Sequence, residues 1–181
     1  MASITKSPGT MADDATVGIV AWSNPDNAKV SDNVYAMASL SDQQSHYLKA
    51  TNFGFSIPAG ATIDGILVEV EVQSTHGYMV TDVDSSVKIV KSDSSLGTQN
   101  KAVGTRIPSA INTYLSYGSS SDLWGETWAY TDINDTDFGV VFSSYGTYDD
   151  ESATHNVDHI RITVYYTETS TISPFPSFFN T

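Results

Sequence analysis

The sequence has no cysteine and few basic residues. Without cysteine the chain can form neither a disulfide framework nor a thiolate zinc site, so its stability has to come from packing or assembly. Its 8 lysine and arginine residues face 21 aspartates and glutamates, which gives a formal net charge of −13. Because such a surface repels phosphate backbones and anionic lipids, we expect neither nucleic acid nor a membrane as a partner.

Long apolar runs are also missing from the 181 residues. No stretch approaches the roughly 20 apolar residues of a membrane span. Residues 1–10 lack the apolar core of a signal peptide. We therefore expect no Sec-dependent export, and a location outside the cell would then require release inside a particle.

Sequence motifs of catalysis are absent as well. His155 and His159, the last two of four histidines, would share a face only on a helix, whereas the residues around them indicate a loop entering a strand. There is no Gly-x-Ser-x-Gly elbow and no glycine-rich phosphate loop. Glu69 and Glu71 fall on the predicted solvent face of a strand, which disfavours them as paired catalytic carboxylates. The sequence therefore predicts that the protein is not an enzyme.

What the chain does have is alternation of apolar and polar side chains. Isoleucine and valine alternate with mainly polar residues over residues 66–73, and residues 159–166 repeat the pattern. A period of two is that of a half-buried β-strand. Serine and threonine make up 45 of the 181 residues and aromatic residues 20, a composition that favours strands and turns over helices.

The predicted fold is all-β, a single antiparallel β-sandwich of jelly-roll type with extended N- and C-terminal arms. About eight strands with loops of unequal length, and no βαβ rhythm, favour it over a propeller or an up-and-down barrel. We predict a small, polar N-terminal arm over residues 1–16, the sandwich domain over 17–167 and a C-terminal tail over 168–181. Residues 132–135 are predicted to form one short helical turn.

The C-terminal tail contains proline and phenylalanine in close succession: Pro174, Phe175, Pro176, Phe178 and Phe179. The prolines keep the backbone extended. Leaving the three phenylalanines in water would forgo roughly 1.5–3 kcal/mol each. We therefore predict that these five residues form an interface, either by folding back on their own domain or, as we favour, by anchoring in a neighbouring subunit.

The three tryptophans allow two interpretations. Flat aromatic rings cover the apolar faces of sugars, so Trp124 and Trp128, in a stretch rich in aromatic residues, are candidate glycan-binding residues. Large aromatic side chains are also the usual filling of a sandwich core. The core interpretation is favoured for Trp22, Trp124 and Trp128.

Acidic clusters make calcium the one candidate cofactor, because Ca²⁺ takes several carboxylate oxygens from loops. The candidate ligands are Asp132, Asp135 and Asp137, with Asp82, Asp84 and residues 149–151 as further clusters. None matches the spacing of an EF-hand. On a chain of this charge such clusters arise readily as solvated loops. We therefore favour the prediction that the protein binds no cofactor over the prediction that it binds calcium. Asp132 is equally suited to cap the short helical turn.

Six blocks of sequence follow one another in a distinctive order. They are WSNPDNA at 22–28, ATNFGFSIPAGATIDGI at 50–66, LWGETW at 123–128, DIN at 132–134, FGV at 138–140 and VDHIRITVYY at 157–166. The series resembles a β-sandwich module of tailed-bacteriophage virion structural proteins and covers about residues 17–167. Such modules occur in head decoration, fibre and tail components. The resemblance therefore implies a virion role without choosing the part.

The sequence thus predicts a non-enzymatic virion structural protein, most readily a capsid decoration protein or a head or tail appendage. The sandwich would supply a rigid block, and the terminal arms would reach across to neighbours. The expected partners are copies of itself or a major capsid or tail protein, and the expected location is the virion. The alternatives are a carbohydrate-binding module that recognises a host-surface glycan, and a subunit of an extracellular filament.

Overall fold

The computed structural model describes residues 1–75, 81–147 and 153–169, in which ten strands form two antiparallel sheets. The strands are β1 (Ala2–Lys6), β2 (Thr10–Asp14), β3 (Ala36–Leu40), β4 (Gln43–Gln44), β5 (Tyr47–Thr51), β6 (Thr62–Ser74), β7 (Thr81–Val90), β8 (Thr113–Gly118), β9 (Gly139–Thr147) and β10 (Ala153–Thr167). A 3₁₀ turn spans Pro25–Ala28, and the short helix α1 spans Tyr130–Asn134. The predicted all-β class and the predicted helical turn are both confirmed.

The first sheet has the order β1-β10-β6-β8, with β3 paired to the same edge of β10 as β1. The second sheet has the order β2-β5-β9-β7, with β4 paired to β9. From β5 to β10 each strand lies in the opposite sheet to the one before it, so no two consecutive strands of this run pair with each other. This crossing between layers is the jelly-roll-like sandwich that the sequence predicted.

The core lies between the sheets, where the alternating residues meet. The fully buried side chains of the first sheet include Ile66, Val68, Val70, Val72, Ile160, Ile162 and Val164. The second sheet contributes the buried side chains of Val87, Ile89, Val140 and Phe142 to the same core. Burial of each such side chain contributes roughly 1.5–3 kcal/mol. The inward face that the period of two predicted for residues 66–73 and 159–166 is therefore confirmed.

A corner between the sheets follows β5. Phe53, Phe55 and Ile57 alternate into the core before β6 begins in the other sheet. The side chain of Asn134, the last residue of α1, holds this corner by accepting from the Ile57 N–H at 2.7 Å and donating to its carbonyl at 3.0 Å.

Among the described residues, no helix has the length and apolar character needed to cross a bilayer.

Two stretches of residues 1–16 are strands, and they belong to the sandwich. β1 pairs with β10 from Ala2 opposite Tyr166 to Lys6 opposite Ile162, and β2 pairs with β5. The polar composition suggested an arm because an edge strand buries only one side, and alternate residues of β1 are exposed. In this structure these strands pair within their own chain, and this corrects the prediction that they reach across to a neighbour.

Candidate functional site

The outward face of the first sheet carries a connected set of polar side chains, which we call the outer network. It consists of Ser7, Glu69, Glu71, Tyr114, His159 and Arg161. Arg161 donates from Nε and Nη2 to the two carboxylate oxygens of Glu69 at 2.7 and 3.0 Å. Its guanidinium lies 4.2 Å from the ring centroid of Tyr114. The hydrogen bond to Glu69 raises the pKa of Arg161, and the contacts of this guanidinium link β6, β8 and β10 on their outer side.

His159 is the centre of the outer network. Its Nε2 lies 2.8 Å from the Ser7 hydroxyl, and its Nδ1 lies 2.9 Å from the Tyr114 hydroxyl. Burial lowers the pKa of His159, which favours the neutral ring. A neutral imidazole donates a hydrogen bond from one ring nitrogen and accepts one at the other. One of these two hydroxyls therefore accepts a hydrogen bond from His159, and the other donates one to it.

Glu71 corrects the prediction of a solvent face on β6. It lies in register between Tyr114 of β8 and His159 of β10, and it is 8% exposed. Periodicity alone could not show this, because the cover comes from large side chains on the neighbouring strands. Glu69 is bound by the Arg161 guanidinium on the same sheet face. These two carboxylates therefore contact neighbouring strands and are not arranged as a catalytic pair.

Lowering the pH should destabilise the folded chain through His159. The pKa of His159 in the folded chain lies below the usual value near 6.5. Between the folded pKa and about pH 6.5, the unfolded state therefore binds a proton that the folded state excludes. The contribution is complete above about pH 6.5 and is lost as the pH falls from there toward the folded pKa. We expect the melting temperature to fall less between about pH 7.5 and 5.5 in His159→Gln than in the unchanged chain.

A matched variant for this prediction is His46→Gln, because the His46 ring is bonded to Asp13 at 2.8 Å outside the outer network. The measurement is thermal unfolding followed by circular dichroism in one buffer series. An equal fall in melting temperature for His159→Gln and the unchanged chain would contradict the assignment.

A second feature begins where β10 departs from regular pairing. The register shifts between Val157 and His159, which makes Asp158 the extra residue of a β-bulge. The bulge turns its buried carboxylate toward two loops. Oδ1 accepts from the backbone N–H groups of Asp32 and Asn33 at 3.2 and 2.9 Å, and Oδ2 accepts from Asn112 Nδ2 at 3.0 Å. Burial raises the pKa of Asp158, and these backbone donors oppose that rise.

The two loops held by Asp158 form what we call the loop platform, residues 29–35 and 109–112. Asn112 Nδ2 also donates to the Asn33 side-chain oxygen at 3.0 Å, so the loops contact each other directly. Val30, Val34 and Ile111 are 59%, 51% and 68% exposed on these loops. The loop platform therefore presents aliphatic side chains to solvent from a hydrogen-bonded base.

A third polar cluster is buried where β6, β7 and β10 meet. His155 Nε2 lies 2.8 Å from one carboxylate oxygen of Asp82, and the Ser74 hydroxyl donates to the other. These residue types resemble a catalytic triad, but the order differs because the carboxylate stands between serine and histidine. A catalytic triad instead places the histidine between the serine and the carboxylate. The cluster binds strands together in the interior.

The structure gives the predicted calcium ligands other partners. Asp132 accepts from the Ala129 N–H at 2.9 Å, which is the capping role that the sequence also allowed, and from Ser92. Asp137 accepts from Ser94, and Asp135 accepts from the Asp137 N–H. Within the described ranges, no three histidine, aspartate or glutamate side chains are grouped to hold a metal ion. Calcium binding by Asp132, Asp135 and Asp137 stays a prediction.

The tryptophans occupy the core, and this corrects the glycan-binding prediction for Trp124 and Trp128. Trp124 is 1% exposed and donates to the Ile66 carbonyl at 3.0 Å. Trp128 is 9% exposed, donates to the Leu123 carbonyl at 2.9 Å and packs edge-on against Phe138. Their indole N–H groups are satisfied by backbone carbonyls, so the rings fit inside the sandwich and do not present faces to a sugar.

The predicted interface residues Pro174, Phe175, Pro176, Phe178 and Phe179 lie outside the described residues, as do residues 149–151. The described chain ends shortly after β10. Thr167 donates to Asp64 at 2.7 Å, and the Thr169 hydroxyl donates to the Gly60 carbonyl. These contacts fix the point from which the tail leaves, beside the turn that precedes β6.

Neither a protein-family model nor a curated protein matches the chain. Among solved structures, the CBM22-1 xylan-binding domain from Paenibacillus barcinonensis Xyn10C aligns over 91% of this chain and 95% of its own, with a TM-score of 0.41 and 11% identity. A chain of infectious bursal disease virus strain Gt aligns over 91% of this chain and 33% of its own (TM-score 0.38, 5% identity). A chain of the tripod from the baseplate of bacteriophage Tuc2009 aligns over 96% and 66% (TM-score 0.30, 14% identity). At these TM-scores the similarities carry no functional assignment.

Proposed function

We propose that this chain is a non-enzymatic structural module of a bacteriophage virion, a capsid decoration protein or a head or tail appendage, that assembles through its C-terminal tail. The order of the six sequence blocks supports the virion role. The observation that carries the assembly role is the position of the phenylalanines. β10, the last strand among the described residues, ends at Thr167, so Phe175, Phe178 and Phe179 all follow it in sequence.

The energetics favour a partner for the tail. Among the described residues, the core cluster is formed by residues between Met11 and Val164, which belong to the two sheets and their connections. Three further phenylalanines would forgo roughly 1.5–3 kcal/mol each if they stayed in water. Docking on another molecule recovers that free energy, and it offsets the cost of ordering the segment. The proposed partners are copies of this chain or a major capsid or tail protein.

The test compares the full chain with a chain truncated after Thr169, which preserves the hydrogen bonds of Thr167 and Thr169. A triple variant, Phe175→Ser, Phe178→Ser and Phe179→Ser, keeps the length and removes only the aromatic rings. Size-exclusion chromatography with light scattering should give a defined oligomer of the 19.5 kDa full chain, and both variants should run as folded monomers, the truncated one at a correspondingly lower mass. Unchanged masses would contradict the tail as an assembly element.

The alternative of a carbohydrate-binding module loses its predicted stacking surface, because Trp124 and Trp128 are buried. The filament alternative also predicts tail-dependent assembly. The same light-scattering experiment distinguishes it, because a filament keeps growing and has no fixed mass. For the virion module, a closed oligomer or binding to a preformed shell is expected instead.

A further inference from the structure

We propose that the loop platform, residues 29–35 and 109–112, is the surface on which the C-terminal tail of a second copy docks, so that copies join head to tail. This inference rests on the proposed function, in which the tail is an assembly element. It goes further by naming both the surface that receives the tail and the molecule that carries it.

The loop platform is held in one conformation before any partner arrives. The Asp158 carboxylate binds both loops, and the Asp32 side chain accepts from the Val34 N–H at 3.0 Å. The backbone of Lys29 forms a bridge with His159, which fixes the base of the first loop to β10. Since ordering loops on association is costly, a surface that is already fixed binds more tightly than a mobile one of the same composition.

Backbone conformation supports the same conclusion. Asn33 and Ala110 adopt left-handed φ angles of 65° and 58°. Alanine has no polar side chain to favour that conformation, so the surroundings impose it. Strained residues persist where the neighbouring structure over-determines them, and they cluster at binding surfaces.

The exposed side chains of the loop platform suit an apolar partner. Val30, Val34 and Ile111 are each more than half exposed, although the loops that carry them are hydrogen-bonded to the sheet. Single exposed aliphatic residues are ordinary, but here three lie on loops that contact each other through Asn112 and Asn33. The chemistry that covers such a surface is an apolar segment with little charge.

The tail has that chemistry. Residues 170–181 contain no charged side chain and include three phenylalanines. Two copies of a chain with a net charge of −13 repel each other, so contact is easiest through parts that add no charge. The tail and the loop platform therefore complement each other in polarity and avoid the general repulsion between copies.

The geometry places the tail on a second copy. Along β10, nine residues separate Asp158 from Thr167, which is roughly 30 Å at about 3.3 Å per residue. Phe175 follows Thr167 by eight residues and reaches at most about 28 Å if fully extended. The hydrogen bond from Thr169 to Gly60 directs the start of the tail to the turn before β6. Phe175 therefore reaches the loop platform of its own chain only if the link is drawn out almost fully, whereas the tail of a second copy needs no such extension.

A contact between the tail of one copy and the loop platform of the next is heterologous. Such contacts close into a ring when the rotation between copies permits it, and otherwise they extend as a filament. Each copy then carries one donor segment and one receiving surface. This property makes the inference testable by mixing variants.

The first experiment changes the receiving surface in the full chain. The double variant Val34→Ser and Ile111→Ser replaces two exposed residues, and Val103→Ser is its control because Val103 is 83% exposed and lies outside the loop platform. In light scattering at equal concentration, we expect the double variant to run as a folded monomer and the control to assemble like the unchanged chain. Assembly of the double variant at the unchanged mass would overturn the inference.

The second experiment mixes the double variant, which keeps its tail, with the triple phenylalanine variant, which keeps its loop platform. Each supplies one half of a single contact, so we expect a one-to-one complex that does not grow further. A mixture that stays monomeric overturns the inference. Tail-dependent assembly that survives the double variant overturns the loop platform alone, whereas assembly that survives the triple variant removes the proposed function as well.

Discussion

Replacement of Trp124 by alanine is expected to lower the free energy of unfolding by about 3–5 kcal/mol, the range for a large buried aromatic residue. The indole is 1% exposed, and its N–H donates to the Ile66 carbonyl at the base of β6. Lys101 Nζ lies 5.5 Å from the ring centroid and adds a cation–π contact. Alanine would leave a cavity and remove the donor at the same time.

The measurement is denaturant unfolding followed by far-ultraviolet circular dichroism, which does not depend on the tryptophan signal. Trp124→Phe should fall between alanine and the unchanged chain, because it refills most of the volume without restoring the donor. Val103→Ala is the surface control and should change the free energy of unfolding by less than about 0.5 kcal/mol. A loss below about 1 kcal/mol for Trp124→Ala would mean that the ring is not a core element.

Replacement of Gly139 by alanine is expected to cost about 3 kcal/mol, the upper part of the range for overpacking. Gly139 opens β9 beside β5, and an added Cβ would meet the backbone carbonyl of Ala50 well inside van der Waals contact. It would also lie 3.0 Å from the Thr51 methyl group. Because the obstacle is mainly backbone, only a separation of the two strands relieves it.

The control for this prediction is Gly97→Ala. There the nearest atom to an added Cβ is the Ile89 carbonyl oxygen at 3.5 Å, which is ordinary contact. We expect a change of less than about 0.5 kcal/mol for Gly97→Ala in the same denaturant series. Similar losses in the two variants would show that the general cost of replacing glycine, and not the approach of β5, sets the effect at Gly139.

The inward half of the sheets could be predicted because burial follows a period of two along one strand. All the inward positions that the rule selects are buried: Ile66, Val68, Val70 and Val72 on β6, and Ile160, Ile162 and Val164 on β10. The outward half could not be predicted in the same way. Glu71 is covered by Tyr114 and His159, which stand on neighbouring strands, and strand order is a property of the whole chain that local alternation does not contain.

Asp158 shows both the limit and the available signal. Counting back from Ile162 and Ile160, the pattern of β10 places residue 158 on the core face, where an aspartate would be an unpaired charge. The conflict itself predicts a bulge at that point, although not which loops the carboxylate binds. Asn112 and Asn33, its partners, stand 46 and 125 residues away in sequence. No local pattern could connect them.

The position of β10 in the first sheet has a consequence for synthesis of the chain. β10 is the last of the ten described strands to leave the ribosome, yet β1, β3 and β6 all pair with it. Until residues 153–167 emerge, β1 and β3 lack the one strand partner that the described part of this sheet gives them, and β6 lacks one of its two described partners. Non-local pairing of this kind is slow, and unpaired strand edges invite aggregation. A nascent chain that stalls before residue 153 should therefore remain open, and emergence of residues 153–167 should be the step that allows the sandwich to close.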